Sequence, residues 1–256
     1  MGGKNAIIID SSADLDEAVL GSRQSAFGFQ GQKCSACSRI IVVDPDGPKG
    51  PHISTFTRRF VEATRSLAVG DPAKPGTDVG PVIEDAAATK IGEYIDTAKR
   101  EGCVVEIDAG LPSDDPFVAS SPNLSMSRFV APTIFSAVQP HHTIWKEEIF
   151  GPVVAIAHAA TFDDALRLAN DHPYKLTGGV FTRKPAHIER AKRDFRVGNL
   201  YINRGCTGAL VARQPFGGFG MSGGGTKAGG ADYLLHFVEP RAICENTMRR
   251  GFAPEL

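Results

Sequence analysis

Long apolar runs are absent: no stretch of the 256-residue chain approaches the ~20 uninterrupted apolar residues of a membrane span. An excess of one charge is absent too. Lys and Arg number 28 against 29 Asp and Glu, a net charge of -1, with neither a basic stripe nor an acidic tail. Nothing here draws nucleic acid or an anionic membrane, and neither is expected as a partner. Cysteine is scarce and odd in number. Five residues without framework spacing argue for reduced thiols, as in a cytoplasm or a mitochondrial matrix, and against a secreted disulfide scaffold. Clustered metal ligands are missing, so no metal is expected. Of the seven histidines, His141-His142 reads as exposed turn, and His158 and His236 as lying in apolar surroundings. Met1 to Asn5 has no signal-peptide pattern, and Ala6 stands where a myristoylation site wants Ser or Thr. There is no internal repeat and no Gly-x-x-x-x-Gly-Lys-Ser/Thr phosphate loop.

What is present alternates. Ala6 to Ile9 and Ile40 to Val43 are continuous apolar runs, as in strands covered on both faces. Cys103 to Ile107, Phe129 to Phe135, Gly151 to Ala157, Gly178 to Thr182 and Asn199 to Ile202 read as further strands. Helical patterns lie between them. Leu15, Ala18, Val19 and Ala26 follow a Ser11–Asp14 capping box. Phe56, Phe60, Ala63 and Leu67 form one face of the next, with Arg58, Arg59 and Glu62 on its wet side. Ala87, Ile91, Tyr94, Ile95 and Ala98 mark a long helix closed by Gly102. Thr161 and Asp164 cap the helix carrying Leu166, Leu168 and Ala169, and Pro185 suits the first turn of another. The alternation predicts an α/β fold: a largely parallel sheet with helices on both faces. Asp108 to Arg128, rich in Ser, Pro and Asp, reads as a surface insertion. Phe237 to Glu245 reads as an extra strand or arm, dividing the chain into residues 1–236 and 237–256.

The stretch Phe27 to Arg39 joins a helix to a buried strand. Gly28 and Gly31 let the backbone turn sharply and approach other groups closely. A thiol at Cys34 on such a turn can face a cleft with backbone N–H groups beside it, as an acyl-transfer nucleophile requires. Lys33 and Arg39 favour the thiolate if their charges lie close. Spacing alone equally admits a buried core thiol. Cys34-x-x-Cys37 also admits a dithiol redox pair or half a metal site. A structural zinc site needs about four ligands, and no second Cys-x-x-Cys exists. A thioredoxin-like motif follows a strand, whereas this one follows a helix.

Phe27-x-x-x-Gly31-Gln32-x-Cys34 resembles the active-site signature of the aldehyde dehydrogenase superfamily. The fuller string from Ser25 to Arg39 is similar to the branch that oxidises L-glutamate γ-semialdehyde to glutamate. The resemblance implies that fold and makes Cys34 the nucleophile, forming a thioester. Glu147 to Pro152 resembles a second hallmark, in which Glu148 holds the nicotinamide ribose hydroxyls and Phe150 packs near the nicotinamide, so NAD is the implied cofactor. A carboxylate suits two vicinal hydroxyls because each donates to one oxygen. Asn203 to Ala209, with Gln214 to Gly218, resembles the loop that anchors the substrate carboxylate. There Gly208 and Ala209 offer backbone N–H groups, Ser35 adds a hydroxyl, and Phe216 lines the aliphatic part of the pocket. Without the family, Glu147-Glu148 reads as a solvated acidic pair, and the glycine-rich loop as a flexible segment with Phe216 packed inside.

Met1-Gly2-Gly3-Lys4-Asn5 resembles the end of the family's Glu-x-Gly-Gly-Lys-Asn motif. The general-base glutamate, the oxyanion-hole asparagine and the dinucleotide-binding half are therefore expected to precede Met1. The chain is expected to comprise a catalytic domain, 1–236, and an oligomerisation arm, 237–256. Its implied partners are an aldehyde substrate and either another copy or the N-terminal half, and it is expected to be inactive alone. Another aldehyde substrate, an inactive assembly or regulatory fragment, and a Cys34/Cys37 redox module are the alternatives.

Overall fold

Ile7, Ile8 and Ile9 are all fully buried, although successive strand residues face opposite ways. Layers must therefore cover both sides of their strand. The computed structural model, which describes residues 2–108 and 125–248, supplies both. The strands are β1 (Asn5–Ile9), β2 (Cys37–Val43), β3 (Val104–Asp108), β4 (Thr133–Ser136), β5 (Val153–Ala159), β6 (Tyr174–Lys175), β7 (Thr177–Phe181), β8 (Asn199–Ile202) and β9 (Phe219–Gly220). Seven form one sheet in the order β3-β4-β5-β2-β1-β7-β8, parallel except for the antiparallel β3–β4 pair. A separate antiparallel pair joins β6 to β9.

The helices are α1 (Leu15–Phe27), α2 (Pro51–Arg65), α3 (Asp85–Arg100), α4 (Thr143–Lys146), α5 (Phe162–Asn170) and α6 (Pro185–Asp194). Ile7, Ile9, Ile40, Val42, Val154 and Ile156 pack with residues of α1 and α2. Ala6, Ile8, Ile41, Val43, Ala155 and Ala157 pack with residues of α3, α5 and α6. Each Ile or Phe sealed in these layers contributes about 1.5–3 kcal/mol of transfer free energy. Phe56 stacks on Phe60 at 5.6 Å between ring centroids, and Phe60 on Phe27 at 6.0 Å, locking α2 against the end of α1.

Local chemistry sets the helix ends. Cys103 N–H donates to Ala98 O at 3.0 Å and Gly102 N–H to Lys99 O at 3.2 Å, with Gly102 at φ 84°, closing α3 in a left-handed turn. The Thr161 hydroxyl accepts from Asp164 N–H at 3.1 Å at the start of α5, and Pro185 opens α6. The cap of α1 differs from expectation. Asp14 itself accepts from the amides of Asp16 and Glu17, because Asp10 draws the preceding residues into a turn, taking the Ser12 hydroxyl.

Three further expectations are corrected. His142 is buried, with Nδ1 accepting the Gln139 amide at 3.1 Å and lying 3.1 Å from Cys103 Sγ; its ring fills the turn before α4 where water was expected. His236 is exposed and not enclosed among apolar side chains, whereas His158 is half-buried near Ile53, Val61 and Val138, with Nε2 2.8 Å from Asp44 O. The described part of the C-terminal segment carries no strand: residues 238–248 are exposed, lack regular structure and pair with no strand among the described residues. Residues 249–256 of that arm, and 109–124 of the expected insertion, lie outside the described residues. At the insertion's far end, Arg128 pairs with Asp85 at 3.0 Å. No helix among the described residues is long and apolar enough to cross a membrane.

Asn5, Cys37, Val153 and Thr177 begin four neighbouring parallel strands. The segments leading into those strands therefore meet at one end of the sheet, and these segments hold Gly2 to Lys4, Cys34 and Glu148.

Candidate active site

The chain reverses after α1 through three successive left-handed residues: Phe29 at φ 57°, Gln30 at 56° and Gly31 at 67°. Of the two glycines in the turn, Gly31 is the one the geometry demands. A Cβ there would lie 2.3 Å from Gly151 O, so this turn and the Glu148–Gly151 loop sit back to back. Gly28 has an ordinary φ of -56°. Cys34 emerges half-buried, and neither its N–H nor that of Ser35 is bonded among the described residues. Both amides are free to face a ligand.

The Cys34 carbonyl, in contrast, is held. Asn5 Nδ2 donates to it at 2.8 Å and to Ala36 O at 2.8 Å. A Cβ on Gly3 would come 2.3 Å from the same Cys34 oxygen. The Gly3 amide donates to Glu148 Oε1 at 2.9 Å, and a Cβ on Gly2 would fall 2.2 Å from Oε2. Gly2 O accepts the buried Ser222 hydroxyl at 2.7 Å. The residues before β1 thus fill the space between Glu148 and Cys34 so closely that two of them have no room for side chains.

Arg39 does not serve Cys34. Its buried guanidinium donates to Lys4 O at 2.9 Å, Leu168 O at 3.3 Å and Ala169 O at 3.2 Å, and lies 5.0 Å from the centroid of the Trp145 ring. A guanidinium in the core must spend its donors on carbonyls there, and burial lowers its pKa to about 10. Burial, reinforced by Arg39, brings Lys4 to about 7, against the pull of Glu148. Cys37 is buried, and burial pushes its thiol up. All the described cysteines are free thiols, and the Cys37 Sγ lies 3.4 Å from Arg39 O. The burial of Cys37, against the half-exposed setting of Cys34, weighs against the Cys34/Cys37 dithiol reading.

Phe150 stands at φ 61° with 41% of its surface exposed, a backbone strain that a bulky residue rarely carries. Glu148, half-buried beside it, presents a carboxylate braced by Gly3. Tyr94 bonds the neighbouring Glu147 at 2.7 Å, leaving Glu148 to the Gly3 side.

The glycine-rich loop is rooted on the same turn. Cys206 N–H donates to Ser25 Oγ at 3.0 Å, and Cys206 Sγ lies 3.6 Å from Ser35 O. Beyond it, Gly208 at φ 82° and Ala209 have amides that make no bond among the described residues, while the Leu210 amide is taken by Gln214 Oε1 at 3.0 Å. Half-buried Phe216 is bracketed by Asn199, which donates to Pro215 O at 2.9 Å and accepts from Gly217 N–H at 3.1 Å. No hydrogen bond among the described residues joins Gly208, Ala209 or Phe216 to Cys34. No group of three or more His, Cys, Asp or Glu residues able to hold a metal occurs among them either. Sequence reasoning singled out Gly2 to Asn5 as a motif but missed its bonds to Glu148 and Cys34, and it gave Asn199 and Ser222 no part in the site beyond a strand and a family pattern.

A half-exposed thiol beside open amides, entering a parallel sheet next to a braced carboxylate, has the parts of a cysteine-dependent α/β enzyme. The aldehyde dehydrogenase family profile matches residues 1–243, and the chain belongs to that family. It is 49% identical over 245 residues to 1-pyrroline-5-carboxylate dehydrogenase of Geobacillus thermodenitrificans, covering 96% of this chain and 44% of the relative. Identity to the Bacillus subtilis enzyme of that name is 45% over 248 residues, again covering 96% and 44%. Among solved structures, proline utilization A of Bdellovibrio bacteriovorus superposes with a TM-score of 0.87 at 47% identity, covering 100% of this chain and 25% of that one. The 1-pyrroline-5-carboxylate dehydrogenase from Thermus with bound NAD gives 0.81 at 44% identity, covering 93% and 43%. The chain thus spans less than half the length of the relatives it matches.

Proposed function

We propose that this chain is the catalytic portion of a dehydrogenase that oxidises L-glutamate γ-semialdehyde to glutamate, with Cys34 as nucleophile and NAD as cofactor. The observation that carries this reading is the segment Gly2 to Asn5, which bonds at once to the Glu148 carboxylate and the Cys34 carbonyl. The similarity to 1-pyrroline-5-carboxylate dehydrogenases supports the substrate.

Cys34 thiolate adds to the aldehyde carbon, and the carbonyl electron pair moves onto oxygen, beside the unbonded Cys34 N–H. NAD, when bound, supplies the acceptor for the hydride that leaves this carbon. Glu148, with Oε1 held by Gly3, would offer its other oxygen to a ribose hydroxyl, and the exposed Phe150 ring would pack beside the nicotinamide, so these residues fit one end of the cofactor. Cys34 is left acylated as a thioester. Water adds to the acyl carbon, the thiolate leaves, and the acid is released. The Gly208 and Ala209 amides with the Ser35 hydroxyl take the α-carboxylate, and Phe216 lines the chain between.

The family's water-activating glutamate matches no residue of these 256, so turnover draws on an N-terminal half, joined to this sequence or supplied by a partner, that brings it together with the dinucleotide site. Residues 237–256 form the oligomerisation arm for a second copy; Phe237, Val238 and Ile243, exposed by 72%, 60% and 72%, support this. Free thiols suit a reducing cytoplasm.

The test is NADH production from glutamate semialdehyde, by the 256-residue chain and by the same chain joined to an N-terminal dinucleotide-binding half. The joined enzyme is expected to turn over at roughly 1 per second or faster, and the chain alone not at all. Turnover by the chain alone, or equal preference of the joined enzyme for simple aliphatic aldehydes, overturns the reading.

A further inference from the structure

We propose that Asn5 is the positioning residue of the Cys34 nucleophile, a side-chain clamp that sets the direction of the Cys34–Ser35 peptide. The proposal rests on the reading of Cys34 as nucleophile.

Asn5 is the first residue of β1 and is 3% exposed. Its carboxamide has four hydrogen-bonding positions, of which three are used. Nδ2 donates to Cys34 O and to Ala36 O, both at 2.8 Å, and Oδ1 accepts the Thr177 amide at 3.0 Å. One side chain therefore ties the start of β7 to two carbonyls of the turn entering β2. The β1–β2 register shifts between Asn5 and Ala6, so the regular ladder is interrupted where the carboxamide bonds.

The consequence follows from the planarity of the peptide. In a trans peptide the C=O and the following N–H point in opposite directions. With the Cys34 carbonyl drawn onto Asn5, the Ser35 N–H is turned away from Asn5, and it is unbonded among the described residues. The bare α-carbon of Gly3 closes the other side of the same oxygen, where a Cβ would come to 2.3 Å. The Cys34 carbonyl is thus boxed between a donor and a wall, and rotation of this peptide would break the bond or strike Gly3. The backbone that fixes the Cα–Cβ direction of Cys34 has one setting, and Asn5 supplies its directional part. Removing the two donors frees the peptide without touching the thiol itself.

The experiment follows alkylation of each cysteine by iodoacetamide, resolved by peptide mass spectrometry, in the 256-residue chain and in Asn5→Asp and Asn5→Ser. Ionised aspartate keeps the acceptor for Thr177 but has no donor, and the protonated acid has at most one; serine has one donor. In the unaltered chain Cys34 should react faster than the exposed Cys244, with Cys37, Cys103 and Cys206 protected. Asn5→Asp should slow Cys34 about tenfold or more across the whole pH profile, because the thiolate is misdirected and not merely depleted. Asn5→Ser should recover part of that rate, and Cys244 should not change in either. An unchanged Cys34 rate in both variants, with interior cysteines still protected, overturns the proposal and leaves the nucleophile reading intact. Cys34 reacting no faster than Cys244 in the unaltered chain overturns both. If either variant exposes the interior thiols, hydrogen exchange in the unaltered chain decides. A Thr177 amide as protected as Val180 in β7, beside a fast Ser35 amide, upholds the clamp, and a fast Thr177 amide overturns it.

Discussion

The Gly3 amide and Glu148 Oε1 lie 2.9 Å apart, and that bond joins residues 145 positions distant in the chain. It makes the two glycines of the opening motif unequal. A methyl on Gly2 would meet Glu148 Oε2, the free end of a flexible side chain; a methyl on Gly3 would meet the Cys34 carbonyl, which is backbone and cannot step aside.

Gly2→Ala should therefore leave the fold intact and displace the carboxylate. In the joined enzyme KM for NAD should rise about tenfold, equivalent to ~1.4 kcal/mol, with the thermal midpoint nearly unchanged. Gly3→Ala should do the reverse, lowering stability by about 1–3 kcal/mol through overpacking. Urea unfolding and NAD saturation curves on both variants check the contrast, and equal loss of stability in both would contradict it.

His172 should make the chain sensitive to mild acid. Its Nε2 lies 2.7 Å from Lys146 O, and its Nδ1 accepts the Tyr174 amide at 3.1 Å. A neutral ring satisfies both; a second proton would face the Tyr174 N–H. Burial first, then the cations Arg39, Lys4 and Lys175, push its pKa from 6.5 down to about 4, against the favourable Lys146 carbonyl. Between those values the unfolded chain holds more protons than the folded one, so stability rises with pH there and is lost as pH falls from 6.5 towards 4. The loss should amount to at most about 3 kcal/mol. Asp10 and Asp44, whose carboxyls hydrogen bonds hold below their ordinary range, add their own loss only at lower pH. Urea unfolding at several pH values through this window should show a slope that His172→Gln flattens; parallel slopes would count against the assignment.

The α/β order was legible because strands sealed on both faces read as unbroken apolar runs, and Ile7 to Ile9 is such a run. The Thr161 cap and the Gly102 turn were legible because their partners lie within a few residues. Arg39 and His142 were misplaced for the opposite reason. Polar residues in a core are put there by carbonyls, rings and thiols brought from distant parts of the chain, and composition near them carries no trace of it. Asn5 was read only as part of a motif, since its partners at Cys34 and Thr177 lie 29 and 172 residues away. The tail was read as an extra strand or arm from its apolar content, but a strand also needs a neighbour, and none pairs with it among the described residues.

Asn199 should govern how the joined enzyme discriminates between aldehydes. Its side chain spans Phe216 from one flanking peptide to the other, and Gly198 beside it is pressed so close that a Cβ would lie 2.0 Å from Gly217 O. Phe216 is also fixed to Ala228 by a reciprocal pair of bonds at 2.8 Å, so the loop has a second anchor and should not unravel when one is cut. Asn199→Ala leaves Pro215 O and Gly217 N–H without partners and lets the ring drift. Such a loss costs about 1–3 kcal/mol where the groups stay dry. On the proposed reading, a substrate held at both ends, by its carboxylate on the loop and its aldehyde at Cys34, should feel a displaced wall more than one held only at the aldehyde. For glutamate semialdehyde, kcat/KM should fall about tenfold or more, mostly through KM, and for a short aliphatic aldehyde much less. Asn199→Asp, which keeps the acceptor for Gly217 but sets an oxygen against Pro215 O, should lie between. An equal fall for both substrates would mean that Asn199 supports the fold at large and not the seat of Phe216.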